Sequence, residues 1–162
     1  MVEDLKTIES FTIDHNKLLR GLYVSRKDNI KDVILTTFDI RMKEPNREAV
    51  LNNAELHTIE HLGATYLRNN EEWKERIVYF GPMGCRTGFY LILAGDYSSK
   101  DALTLVKDTF EWISKFEGDI PGALAVECGN YLDQNLTIAK LEAKKYLEIL
   151  NNAKDENLEY PE

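Results

Sequence analysis

The chain has 162 residues, 43% apolar and 30% charged, which is long enough for a real core and excludes an intrinsically disordered composition. Its 20 basic against 28 acidic side chains leave a formal charge of −8, which argues against a nucleic-acid or anionic-membrane surface. No apolar run approaches the roughly 20 residues that span a bilayer, so a soluble, cytoplasmic protein is expected, most simply one domain over residues 1–162 with a polar tail over 151–162.

In chain order, Met1-Val2-Glu3-Asp4 is acidic and leads into no apolar h-region, so no secretory signal is expected. Ser10-Phe11-Thr12-Ile13-Asp14-His15 mixes polar and apolar residues and fits no regular element. Gly21-Leu22-Tyr23-Val24 reads as a short strand, followed by a polar turn through Lys27-Asp28-Asn29. Val33 to Arg41 is rich in β-branched and aromatic residues. There Ile34, Thr36, Phe38 and Ile40 alternate with Leu35, Thr37, Asp39 and Arg41, the pattern of a strand with one buried face. Pro45-Asn46 ends it. Asn52 with Glu55 resembles a capping box for a helix running to about Asn69, whose apolar residues are Leu56, Ile59, Leu62, Ala64, Tyr66 and Leu67. Gly63 inside it costs about 1 kcal/mol relative to alanine, which a close packing contact would explain.

Residues 76–80 read as a strand, and Gly81-Pro82-Met83-Gly84-Cys85 as a tight turn that fixes a thiol. Residues 89–94 are nearly continuous in apolar side chains and read as a central strand. Ser98 and Asp101 cap a helix with the core stripe Leu103, Val106, Phe110 and Ile113, which Gly118 stops. Residues 123–128 read as a strand ending in Cys128 before a Gly129-Asn130 turn. Asp133 opens the last helix, with the stripe Leu136, Ala143, Leu147 and Leu150 ahead of the acidic tail. Strands and helices are interspersed without a regular βαβ rhythm. The expected fold is α+β, a largely antiparallel sheet with helices packed on one face.

Chemistry concentrates in His57-Thr58-Ile59-Glu60-His61. On a helix, residues three and four apart share a face, so two imidazoles and a carboxylate project together. Imidazoles at i and i+4 suit one divalent metal, and the carboxylate is placed to move protons beside it. The order is H-x-x-E-H, inverted from the commoner zinc signature. A catalytic ion takes three protein ligands and keeps a position open. With two cysteines and three histidines in the chain, the third ligand comes from Cys128, His15, Cys85 or an acidic side chain, Cys128 first. Cys85 can be a ligand or a reactive thiol, with Arg86 beside it as a stabilising charge. The bland alternatives are a solvated polar helix face and two packed, inert thiols.

Three blocks carry a specific resemblance: His57-Thr58-Ile59-Glu60-His61-Leu62, then Gly81-Pro82-Met83-Gly84-Cys85-Arg86-Thr87-Gly88-Phe89-Tyr90, then Glu127-Cys128-Gly129-Asn130-Tyr131. They resemble, in order, the signatures of the S-ribosylhomocysteine lyase family, LuxS. Ser10 to His15 and Phe38-Asp39-Ile40-Arg41 with Pro45-Asn46 look like its N-terminal blocks, so the likeness runs from about Ser10 to Tyr146. It implies an α+β homodimer with active sites at the subunit interface. It implies cleavage of the thioether of S-ribosylhomocysteine to homocysteine and 4,5-dihydroxy-2,3-pentanedione, the autoinducer-2 precursor, in quorum sensing and the activated methyl cycle. Carried over by motif, His57, His61 and Cys128 hold one ferrous ion per subunit, for which zinc or cobalt substitutes. Cys85 and Glu60 are the implied acid/base pair, and Ser10, His15, Arg41 and Arg68 the implied substrate contacts.

The chain departs from the family pattern at three places. Arg20-Gly21-Leu22 lacks a proline the family commonly has before its first strand. Tyr79-Phe80-Gly81 stands where Asp-Ile-Ser is common, and Gly63 replaces a larger apolar residue in the metal helix. These departures bear on substrate affinity more than on reaction type. Three other readings share the fold: a diverged lyase acting on a related thioether, an inverzincin-type hydrolase with Glu60 activating water, and a non-catalytic metal-dependent binding protein.

Overall fold

The structure, a computed structural model, describes residues 5–162; Met1-Val2-Glu3-Asp4, on which the expectation of no secretory signal rests, lies outside them. Four strands form one antiparallel sheet: β1 (Gly21–Ile30), β2 (Val33–Arg41), β3 (Ile77–Pro82) and β4 (Gly88–Ala94), in the order β1-β2-β4-β3. Three helices complete the α+β architecture: α1 (Asn53–Asn69), α2 (Ser99–Lys115) and α3 (Leu136–Asn151). Among the described residues, no helix is long and apolar enough to cross a membrane.

Strand register separates the two faces of the sheet. Phe38 pairs with Leu91 and Ile40 with Phe89, while Leu22 and Phe80 lie beside them on β1 and β3. All of these are buried in one cluster with Ile59 and Leu62 of α1, Phe110 of α2 and Tyr146 of α3. The helices therefore cover this face. The other face carries Tyr23, Asp39 and Tyr90 in register, with Arg41 two residues beyond Asp39 on the same side. It belongs to the functional site rather than to the core.

Several boundaries match the sequence patterns. The Asn52 backbone N–H donates to Glu55 Oε1 at 2.7 Å to start α1, and Ser98 Oγ accepts from the Asp101 backbone N–H at 3.2 Å to start α2. Strand β4 lies between two neighbours, as its continuous apolar run requires.

Other expectations are corrected. Strand β1 continues through Lys27-Asp28-Asn29, and the hairpin turns at Lys31-Asp32, with Lys31 at a left-handed φ of 58°. As an edge strand, its polar end is held by backbone pairing with β2, which leaves no apolar signal. Both faces of β2 are buried from Thr36 onward, since the chain's tail covers Asp39. The core stripe of α2 centres on Ala102, Leu105, Val106, Thr109, Phe110 and Ile113, with Leu103 at its edge. Helix α3 is capped by Asn135, whose side chain accepts from the Ile138 N–H at 3.1 Å, so Asp133 precedes the helix. Residues 123–128 form turns and no strand: Cys128 N–H bonds back to the Leu124 carbonyl at 3.0 Å, and Val126 is 89% exposed. The tail also packs back on the fold. Leu158 is buried, and the Tyr160 ring stacks on Tyr23 with centroids 4.8 Å apart.

The close contact that Gly63 calls for is with Phe80. A Cβ at position 63 would sit 2.3 Å from Cε1 of that ring. The ring is backed by Phe89, stacked at 5.0 Å and 10°, so it has no free space to retreat into. Gly63→Ala is therefore expected to lower stability by about 1–2 kcal/mol, because overpacking outweighs the gain in helix propensity. Urea denaturation checks this, and an unchanged or raised stability would show that the ring yields. Adding Phe80→Leu should recover much of the loss.

Candidate metal centre and thiol cavity

Helix α1 buries Leu56, Ile59 and Leu62 against the core and leaves His57, Glu60 and His61 half-exposed on the other side. The two Nε2 atoms lie 2.9 Å apart, and Cys128 Sγ is 3.4 Å from that of His57 and 3.9 Å from that of His61. Among the described residues, this trio is the group of side chains able to hold a metal ion. Bond lengths of about 2.0–2.3 Å to one ion span such separations.

The protons test that fit. His57 Nδ1 lies 2.8 Å from the Asp133 carbonyl oxygen, and His61 Nδ1 2.8 Å from that of Pro121. A carbonyl only accepts, so each Nδ1 carries the hydrogen and donates it. In the neutral rings both Nε2 atoms then present lone pairs to each other and to the cysteine sulfur. With the sulfur as thiolate, three donor atoms converge on one point, an arrangement that suits a divalent cation. Thr58, inside the motif, holds the loop that supplies the Asp133 carbonyl. Its hydroxyl donates to Gln134 Oε1 at 2.7 Å and accepts the Asn135 N–H at 2.9 Å. On the far side, Gly122 takes a φ of 72° beside the His61 ring, where an added Cβ would lie 3.2 Å from Nδ1. Glu60 lines a shallow cavity of about 290 Å³ next to His61 and Pro121.

Cys85 lies elsewhere. The hairpin between β3 and β4 turns through residues 83–87, where Arg86 N–H bonds the Met83 carbonyl at 3.0 Å, and the turn exposes Cys85. The thiol lines a cavity of about 430 Å³ together with Ser10, His15, Arg41, Thr87 and Tyr90. The expected Cys85, Ser10, His15 and Arg41 are thus brought together. The cavities of Cys85 and Glu60 share no lining residue: the first is lined by Arg41 and Tyr90 of the sheet, the second by Glu60, His61, Ala64 and Thr65 of α1. Arg68 stands apart from both. Its Nη1 and Nη2 donate to the Ile77 and Val78 carbonyls at 3.0 Å each, tying the end of α1 to β3.

Arg41 is 3% exposed and pairs with the equally buried Asp39 through Nη2–H···Oδ2 at 2.6 Å. Burial opposes its charge, but the Asp39 carboxylate overrides that and holds the guanidinium more firmly protonated than usual. Its Nε–H and the Asp39 Oδ1 are both buried and without a partner among the described residues, beside the cavity that Arg41 lines.

A family model described as S-ribosylhomocysteinase (LuxS) matches residues 8–157. The chain belongs to the LuxS family. It is 63% identical over 157 residues to the S-ribosylhomocysteine lyase of Borreliella burgdorferi, covering 97% of this chain and all of that protein. The protein of the same name from Finegoldia magna is 59% identical over 158 residues, and that of Clostridium acetobutylicum 56%, each covering 98% of this chain and all of the relative. The LuxS match spans both cavities and the metal-ligand trio. Motif reading named the ionisable candidate residues but assigned no role to the groups that hold them: Thr58, Gln134, the Asp133 and Pro121 carbonyls, Asp39 and Thr87. Backbone carbonyls leave no trace in side-chain identity, and lone threonines carry no spacing signal.

Proposed function

We propose that the chain is a metal-dependent S-ribosylhomocysteine lyase, which cleaves its substrate's thioether to homocysteine and 4,5-dihydroxy-2,3-pentanedione, and that residues 1–162 act as one catalytic domain. The observation that carries this reading is the convergence of His57 Nε2, His61 Nε2 and Cys128 Sγ in a LuxS-family chain. These residues would hold one ferrous ion per subunit, with zinc or cobalt as substitutes. A bound divalent ion supplies Lewis acidity to the sugar's carbonyl and hydroxyl oxygens.

The residues divide the remaining work. The substrate carbonyl must migrate along the sugar by two aldose–ketose shifts before the 3-keto form eliminates the thiolate from C5. Each shift removes a proton from a carbon next to a carbonyl, and Cys85 Sγ takes that proton as general base. The Glu60 carboxylate moves protons between oxygens and assists the elimination. Ser10, His15 and Arg41 line the Cys85 cavity as substrate contacts, and their shared lining supports that role. Arg68 as a substrate contact rests on the resemblance alone.

Within one chain, the Cys85 cavity is lined by none of the metal trio. We place the complete site at the interface of a cytoplasmic homodimer, where one subunit's thiol cavity meets its partner's metal centre. Leu124, Val126 and Leu132, all exposed beside Cys128, together with Phe11 beside Ser10, form the kind of apolar surface that a partner covers.

The test is direct. Protein purified without oxygen and loaded with ferrous iron or cobalt is mixed with S-ribosylhomocysteine, and free homocysteine is followed with a thiol reagent. Turnover many-fold above a metal-free control is expected. No release from metal-loaded protein would overturn the substrate assignment and turn the search to other thioethers.

A further inference from the structure

Thr87 closes the turn that carries Cys85, and its side chain is buried. Its hydroxyl oxygen has three polar neighbours: Arg41 Nη1 at 2.7 Å, Cys85 Sγ at 3.1 Å and Met83 Sδ at 3.9 Å. A hydroxyl offers one proton and two lone pairs. Arg41 only donates, so it occupies a lone pair and leaves the proton for a sulfur. Of the two sulfurs, Cys85 is nearer by 0.8 Å (3.9 against 3.1 Å), and the methionine thioether is a weak acceptor. A deprotonated Cys85 can only accept, so in that state the hydrogen in this contact comes from Thr87.

Arg41 is itself held in place. Asp39 Oδ2 accepts from Arg41 Nη2 at 2.6 Å and from the Tyr160 hydroxyl at 2.8 Å. Burial, and then the Asp39 carboxylate, push the Tyr160 hydroxyl far above its ordinary value, so it keeps its proton and stays a donor. Hydrogen bonds thus run unbroken from the tail through Asp39, Arg41 and Thr87 to the sulfur. The chain links three segments distant in sequence, and every intermediate member is buried.

We propose that Thr87 is a positioning residue for Cys85: its hydroxyl, oriented by the Tyr160–Asp39–Arg41 chain, donates to Sγ and holds the sulfur as an acceptor in the cavity. The importance of this for turnover rests on the proposed role of Cys85 as general base, whereas the contact itself can be read without turnover.

The experiment measures alkylation of Cys85 by iodoacetamide in the full-length, metal-loaded protein, followed by mass spectrometry from neutral to mildly alkaline pH, with Cys128 as internal comparison. Thr87→Val keeps the shape and removes the hydroxyl. It is expected to slow Cys85 alkylation at neutral pH about tenfold and to move the pH–rate profile alkaline. Thr87→Ser, which keeps the hydroxyl, should restore both. A Thr87→Val profile superimposing on that of the unaltered protein would overturn the proposal. Should Thr87→Val fail to fold, Tyr160→Phe takes its place: a smaller loss in the same direction supports the chain, and an unchanged profile overturns it. Failure of the lyase reading shows separately, as absence of homocysteine release from the unaltered protein whatever the alkylation profiles do.

Discussion

Cys85→Ser is expected to cut homocysteine release by about 10²- to 10⁴-fold, the range that one general acid or base contributes, while metal content stays unchanged. A serine hydroxyl fills nearly the same space but is far harder to deprotonate than a thiol, so it cannot act as base near neutral pH. The substitution should leave folding alone, because Cys85 is exposed on the β3–β4 turn and the backbone bonds of that turn do not use its side chain. Metal binding should also persist, since the thiol lines a different cavity from the trio. Turnover kept within a few-fold would refute Cys85 as base. It would favour the hydrolase reading, in which Glu60 activates water and no thiol is needed at that position.

The second large effect is expected at the metal centre. Cys128→Ala should weaken metal binding by more than about 100-fold, beyond the loss typical of removing an outer-shell partner. The physical reason lies in the imidazoles. The Asp133 and Pro121 carbonyls fix both Nδ1–H groups, so the two Nε2 lone pairs still face each other across 2.9 Å without the thiolate that completes the site. Competition with a chromogenic chelator measures the affinity. A thermal melt gives an independent reading, because an ion that binds only the folded chain raises its melting temperature. In the unaltered protein, added metal should raise that temperature; in Cys128→Ala the rise should largely vanish. Affinity retained in the variant would mean that another side chain supplies the third ligand.

Much of the fold and the candidate site was legible where local rules act. Capping residues placed the starts of α1 and α2, apolar continuity marked β4 as central, and i/i+4 spacing put His57 and His61 on one face. What failed were the segments whose burial or exposure depends on distant contacts. Leu124 and Val126 gave residues 123–128 the apolar character of a strand, yet both are exposed beside Cys128. Apolar content does not say whether a surface is covered or by what, and an exposed apolar turn reads like a core strand. The polar half of β1 carried the opposite error, since edge pairing is made by the backbone. The tail's acidic composition hid Leu158 and Tyr160, two side chains whose docking ties the chain's end to the sheet.

The packing of Phe80 against Gly63 also constrains how this sequence could have been reached. Relative to the larger apolar residue at 63 and isoleucine at 80 that the family resemblance implies, two positions differ, and the order of change matters. Phenylalanine at 80 arriving first would drive the ring into the helix side chain. Glycine at 63 arriving first opens a void and loses helix propensity, a cost that is tolerable and that the aromatic ring then recovers by filling the space. The passable route therefore runs through the loosened helix, and while the ring is seated a larger residue cannot return at 63 unless position 80 changes first. Two changes that look independent along the chain are thus coupled, through one contact, in the order in which they can occur.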